Sequence, residues 1–303
     1  MEKKMIKKLS LVLLIAALML TVTGCSATDY KTATELMDNG NPAAASEMFK
    51  ALGDYKDSAS LATACDYAVA KSTYDAGNFE QAAALFTALG SYEDSEAMAS
   101  QASDKALAKK LVGNWVSNEL DVTAIFTQAL YTAIDDEESS KALLDCMDLG
   151  ALTLKYSLEF TDKGTFVMSA ENGSAAALVD AFYTAFTDGL VIYLEKEIQQ
   201  GADINGYSVE ELLQAYGCTT TRELIEAMLE MSLDDFMASI LSKESLQELI
   251  DNSTFNGVYS VENGEIDLTI GRDQSIAVYD ESSDTFSLVD EEIADTTIVF
   301  SRA

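Results

Sequence analysis

The sequence predicts an α+β protein in which N-terminal α-helical repeat hairpins lead into an antiparallel β-barrel or curled meander with helical insertions. Three observations predict it. A segment near the N-terminal end recurs at a constant offset of 37 residues, Gly40 matching Gly77 and Ser58 matching Ser95. Beyond about residue 111, apolar and polar residues alternate in short runs separated by tight-turn residues, the pattern of half-buried strands. Between those runs the apolar spacing switches to that of helices. With 303 residues, 48% of them hydrophobic and 23% charged, the chain has the balance of a folded protein with about two domains.

Met1 to Leu20 combines a charged start, with Lys3, Lys4, Lys7 and Lys8, and an apolar run from Leu9 to Leu20. That is the pattern of an export signal. Even extended to Val22, its apolar run of about 14 residues falls short of the roughly 20 that span a bilayer as a helix. The run ends in Val22-Thr23-Gly24-Cys25, which resembles a bacterial lipobox. The resemblance implies cleavage after Gly24, a diacylglyceryl group on the Cys25 thiol, and a signal peptide spanning 1–24. Two acyl chains hold a protein on a membrane stably where one does not. The localisation that follows is lipid-anchored, on the extracytoplasmic face of a cell membrane.

Residues 25–110 form the repeat region. GNPAAASEMFKALGDYKDS (40–58) aligns with GNFEQAAALFTALGSYEDS (77–95). In each copy Gly-Asn ends one helix, small residues and a Phe at helical spacing mark the next, and Leu-Gly ends that one. Asp57 and Asp94 stand where helix N-caps are expected, and a further helix from about Ser95 to Lys110 closes the stack. The pattern resembles a tetratricopeptide repeat in its turn Gly, in Ala45 and Ala82, and in the Phe four residues later. It departs from that family in its period and in lacking a closing proline. The resemblance implies a spacer or, less simply, a peptide-binding array.

The second domain, 111–303, opens on a short strand at Leu111–Val116. Leu154, Tyr156, Leu158 and Phe160 alternate with polar residues, and after Asp162-Lys163-Gly164 the alternation resumes at Phe166 and Met168. Later runs around Val258, Ile266, Ile276, Phe286 and Ile298 bring the expected total to about eight strands, with Asn263-Gly264 the strongest hairpin turn signal. Helical insertions fall at about 122–149 and 174–252. Ser208 with Glu211 and Thr220 with Glu223 are capping-box pairs. Ala175 to Leu194 is apolar, but Asp180, Asp188 and Gly189 interrupt it, and burial against the barrel is expected. Gly113-Asn114-Trp115 on the first strand, with Arg302 near the end of the last, resembles a lipocalin-like barrel, in which the tryptophan packs beneath the arginine. The combination with helical insertions is similar to lipocalin-like domains of unknown function in exported proteins of Gram-positive bacteria.

Charge narrows the function. The chain carries 51 acidic and 19 basic side chains, a net −32. Thirteen acids and seven bases fall in 25–110, against 37 and eight in 111–303. Such a surface repels nucleic-acid phosphates, so no nucleic acid is expected as partner, and a cationic or neutral partner suits it. The absence of histidine removes imidazole bases and ligands. Carboxylate pairs could do acid–base chemistry, and Asp135-Asp136-Glu137-Glu138, Asp234-Asp235 and Asp290-Glu291-Glu292 are the dense clusters, each beside a turn or helix start where acids are favoured anyway. No calcium loop, phosphate loop or nucleophile elbow is present. Cys65, Cys146 and Cys218 read as three buried small apolar residues, with no disulfide framework. No cofactor, metal site or catalytic residue is assigned.

The sequence therefore points to a non-catalytic binding or interaction module at the cell envelope, with a protein, peptide or glycan partner. The alternatives are a lipocalin-like carrier of a small apolar ligand in the barrel and a carboxylate hydrolase.

Overall fold

A computed structural model of the chain describes residues 26–134, 136–290 and 296–303. Gly24 and Cys25 lie outside the described residues. The described residues divide into two compact units: those from 26 to Leu111 with Val261–Gly264, and those of Val112–Ser260 with Glu265–Ala303.

The first unit is a run of helices: α1 (26–38), α2 (Pro42–Leu52), α3 (Ser58–Asp75), α4 (Phe79–Leu89) and α5 (Ser95–Leu111). The 37-residue repeat extends to individual dihedral angles. Gly40 and Gly77 have φ of 76° and 78°, and Lys56 and Glu93 have φ of 53° and 50°. The left-handed region explains the glycine at the first pair of positions. Ala45 with Phe49, and Ala82 with Phe86, are fully buried centres of two small cores. Each is ringed by tyrosines meeting edge to face: Tyr30 is 5.8 Å from Phe49 and 5.9 Å from Tyr55, and Tyr67 is 5.9 Å from Phe86 and 5.6 Å from Tyr92.

One expectation for this unit is corrected. Asp57 stands at the N-cap of α3, but its side chain accepts no capping amide. Its carboxylate accepts the Tyr30 hydroxyl instead, and Asp94 accepts the Tyr67 hydroxyl. Each carboxylate thus makes a charge-assisted bond to a tyrosine 27 residues earlier in the chain.

In the second unit the strands β1 (Gly113–Ser117), β4 (Tyr156–Phe160), β5 (Thr165–Ala170), β6 (Phe255–Glu262), β7 (Glu265–Ile270), β8 (Asp273–Asp280), β9 (Thr285–Asp290) and β10 (Thr296–Arg302) form a closed antiparallel barrel, in the order β1-β10-β9-β8-β7-β6-β5-β4. β1 closes it by pairing with both β10 and β4. The barrel thus has the eight strands the alternation predicts, and the short strands β2 (Leu120–Asp121) and β3 (Thr153–Leu154) pair separately. The opening strand starts later than expected, because Leu111 ends α5. Asn263 and Gly264 both take positive φ, 53° and 81°, the signature of the two-residue hairpin turn.

Side chains alternate inward along each strand, and the inward set is large. Trp115, Leu158, Phe160, Phe166, Ile266, Phe286 and Phe300 are each at most 2% exposed. Phe286 stacks on Phe300 at 4.9 Å and meets Trp115 edge-on at 5.1 Å, while Phe160 meets Tyr259 at 4.6 Å. Close-packed rings of this size fill the middle of an eight-stranded barrel.

The insertions build a second core. The helices α6 (Thr123–Ala133) and α7 (Glu137–Leu144) precede β3, and α8 (Asn172–Asn205), α9 (Val209–Tyr216), α10 (Thr221–Leu229), α11 (Leu233–Ile240) and α12 (Lys243–Asp251) lie between β5 and β6. α8 is long and apolar enough, by length and composition, to cross a membrane. Its apolar stripe, including Leu178, Val179, Phe182, Phe186 and Leu190, is buried with Leu143, Leu154, Ile225, Leu233, Met237 and Ile250. The expected burial against the barrel is thus corrected: α8 is covered mainly by the other insertion helices and β3. Gly189 permits this, since a Cβ there would lie 3.0 Å from the Met147 Cα.

Candidate binding cleft

The second half of α8, with α9 and α10, encloses an apolar cleft of about 440 Å³. Local sequence rules shape each wall. α8 places Leu194, Ile198 and Ala202 at successive turns of one face, and Gly206 stops the helix in the left-handed conformation at φ 75°. Ser208 and Glu211 form a complete capping box that starts α9, and Gly217 ends it at φ 70°. Thr220 and Glu223 form a second complete box that starts α10. Three helices are thereby laid down with two tight, glycine-ended corners, and their apolar faces converge.

Leu224, Ile225 and Ala202 are buried at the cleft's base. Tyr207, Tyr216 and Met228 also line it, yet each is more than half exposed. Gly201 lines the α8 wall, and a Cβ built on it meets nothing within 4 Å. Glu197 is the one charged side chain among the lining residues. Residues 194–230 carry eight acids and two bases. Both bases are engaged: Arg222 with Glu226 at 3.3 Å and Asp234 at 3.1 Å, and Lys196 with the Cys146 sulfur at 3.3 Å. The Glu223 carboxyl is held below the usual carboxylate range by the Thr219 amide and hydroxyl.

The residues singled out in the sequence fall elsewhere. Trp115 and Arg302 pair at one end of the barrel, the guanidinium carbon 4.0 Å from the ring centroid. Two of the three carboxylate clusters stand at helix starts, and Asp290 of the third ends β9. The Ser139 hydroxyl lowers the pKa of Asp136, as does the Ser139 amide that it accepts at 2.7 Å. Asp234 pairs with Arg222, and Asp235 accepts the Ser232 hydroxyl. Asp135, Glu291 and Glu292 lie outside the described residues. Among the described residues no cluster of three or more Cys, Asp or Glu is placed to hold a metal ion. Cys65 and Cys146 are buried, and burial pushes the Cys65 thiol up. Cys218 corrects the expectation of three buried thiols: it is only partly buried, because it follows the glycine turn that ends α9.

The sequence marked the helices of the cleft through their capping boxes but not the cleft itself. Periodicity tells which face of a helix is apolar, not which faces leave a gap when they meet. Searches among protein-family models, curated proteins and solved structures found no match to this chain.

Proposed function

We propose that this protein is a membrane-anchored extracytoplasmic lipoprotein acting as a non-catalytic binding module, with the α8–α10 cleft as its ligand site. The anchor rests on the Val22-Thr23-Gly24-Cys25 motif after an export signal. Helix is described from residue 26 onward, next to Cys25 in the chain, so the tetratricopeptide-like hairpins would lie close to the lipid and act as a spacer. The lipocalin-like barrel then serves as scaffold.

The observation that carries the binding reading is the contrast between two interiors. The barrel's inward positions hold Trp115, Phe160, Phe166, Phe286 and Phe300, which weighs against a ligand carried there. The helical insertion holds an open apolar cleft whose volume lies in the range of ligand sites, about 300–1,000 Å³. The test is a neutral apolar fluorophore, N-phenyl-1-naphthylamine, titrated against the full chain. Saturable binding that Gly201→Leu abolishes supports the reading, and binding unchanged in that variant refutes it. The anchor is tested separately: Cys25→Ala releases the protein from the membrane fraction, and full retention would refute the lipid attachment.

A further inference from the structure

We propose that the natural occupant of the α8–α10 cleft is a cationic amphipathic peptide helix, an inference that rests on reading the cleft as the ligand site. Three features point to it. The first is openness. A small molecule gains affinity from a pocket that covers most of its surface. Here Tyr207, Tyr216 and Met228 line the cleft while standing more than half exposed, so a small ligand would stay wet on one side. A helix that inserts a row of side chains and lays its body across the rims would cover those residues.

The second feature is the chemistry of the walls. Leu194, Ile198, Leu212 and Leu229 with Met228 and two tyrosines make a surface that accepts apolar side chains of varied shape. Methionine adapts its rotamers, and tyrosine supplies a broad amphipathic face. This is the composition by which helix-binding grooves accept anchors at helical spacing. A helix also satisfies its own backbone hydrogen bonds, which an apolar cleft cannot do for an extended strand.

The third is charge. Glu197 lines the cleft, and the helices around it carry eight acids against two bases whose cations are already engaged. An approaching anionic helix would meet Glu197 and the net negative charge of these helices. A lysine- or arginine-flanked helix gains on-rate and specificity from the same field.

The experiment uses the full chain in nanodiscs of zwitterionic lipid, with empty nanodiscs as blank. Two fluorescent peptides are compared, one of leucine and lysine at helical spacing and its leucine–glutamate counterpart. We expect the lysine peptide to bind at least about tenfold more tightly, with affinity falling as salt is raised. Gly201→Leu, which points into open space and replaces a poor helix former, should weaken the lysine peptide at least about tenfold without lowering the Tm. Glu197→Lys should weaken the lysine peptide several-fold and narrow its advantage over the leucine–glutamate peptide.

Equal affinity for the two peptides, or peptide binding indifferent to Gly201→Leu, overturns the proposal. So does Gly201→Leu-sensitive binding of dodecyltrimethylammonium without the lysine peptide, which would assign a small cationic amphiphile. A Gly201→Leu-sensitive dimer seen by analytical ultracentrifugation would assign a second copy instead. If the neutral fluorophore binds the cleft while peptide selectivity is absent, the peptide proposal fails and the binding-module reading stands. If the fluorophore also fails, both fall.

Discussion

Arg302 and Trp115 are direct neighbours across the β1–β10 ladder, with the guanidinium carbon 4.0 Å from the indole centroid. The guanidinium also donates from Nη1 to the Val112 carbonyl at 3.2 Å and lies 3.7 Å from the Asp284 carboxylate. Gly113 completes the arrangement. Its φ is 124°, and a Cβ there would sit 3.1 Å from Arg302 Nη1. The Gly-x-Trp spacing therefore has a local cause: the glycine leaves room for the cation that covers the tryptophan.

Arg302→Ala should destabilise the barrel by about 1–2 kcal/mol, the range of a partly exposed cation–π contact. Arg302→Lys should recover part of that, since it keeps the charge but not the planar fork. Chemical denaturation followed by Trp115 fluorescence measures both. A variant as stable as wild type would remove the contact from the barrel's energetics.

Gly257 marks the tightest point of the barrel wall. A Cβ there would come within 2.5 Å of both the Phe166 ring and the Thr269 carbonyl oxygen. Gly257→Ala should cost about 1–3 kcal/mol through overpacking. Phe166→Leu in the same background should recover only part, because the backbone oxygen stays in place. Thermal melts of the four-member cycle give the coupling.

Ser58 and Ser95 are buried equivalents in the two repeats, and among the described residues their hydroxyls have no hydrogen-bond partner. Removing an unsatisfied buried hydroxyl returns its desolvation penalty. Ser58→Ala and Ser95→Ala should each raise stability by about 1 kcal/mol and add in the double variant. A loss of stability in both would show that the hydroxyls are satisfied by water.

The tyrosine–aspartate pairs of the repeats make the helical unit sensitive to alkali. Hydrogen bonding to Asp94 pushes the Tyr67 hydroxyl up to about 12, and Asp57 raises Tyr30. The folded-state pKa lies above the unfolded value near 10, so this stabilisation is present below pH 10 and is lost as pH rises towards 12. Tyr67→Phe should lower the Tm at neutral pH and flatten its decline above pH 10. At the acid end the sign reverses. Glu171, lowered by the Gly173 and Ser174 amides, and Asp280, lowered by the Ser282 and Ser283 hydroxyls, contribute above the unfolded pKa near 4. Their contribution is lost as pH falls below it. A Tm profile from pH 3 to 11 tests both ends.

Much of this was legible in the chain. The offset between Phe49 and Phe86 specified a duplicated helical hairpin, because similar local sequences meet similar neighbours. Asn263-Gly264 and Asp162-Lys163-Gly164 specified hairpins, because few residues accept the backbone angles those turns need. The two capping boxes specified where α9 and α10 begin, since their hydrogen bonds lie within one turn of helix. The carboxylates of Asp57 and Asp94 were less legible: their partners, Tyr30 and Tyr67, stand 27 residues away.

The sequence alone thus determined the elements and their turns, and the acidity concentrated beyond residue 110. Tertiary structure decided that eight strands close into one barrel, that aromatic rings fill it, and that α8 turns its apolar stripe to other helices. It also decided where the open cleft lies. Hydrogen bonds within a turn or a cap act over a few residues and leave a local signature. Whether a core is full or open depends on how side chains from distant strands or helices fit together in volume, and no short stretch of sequence carries that.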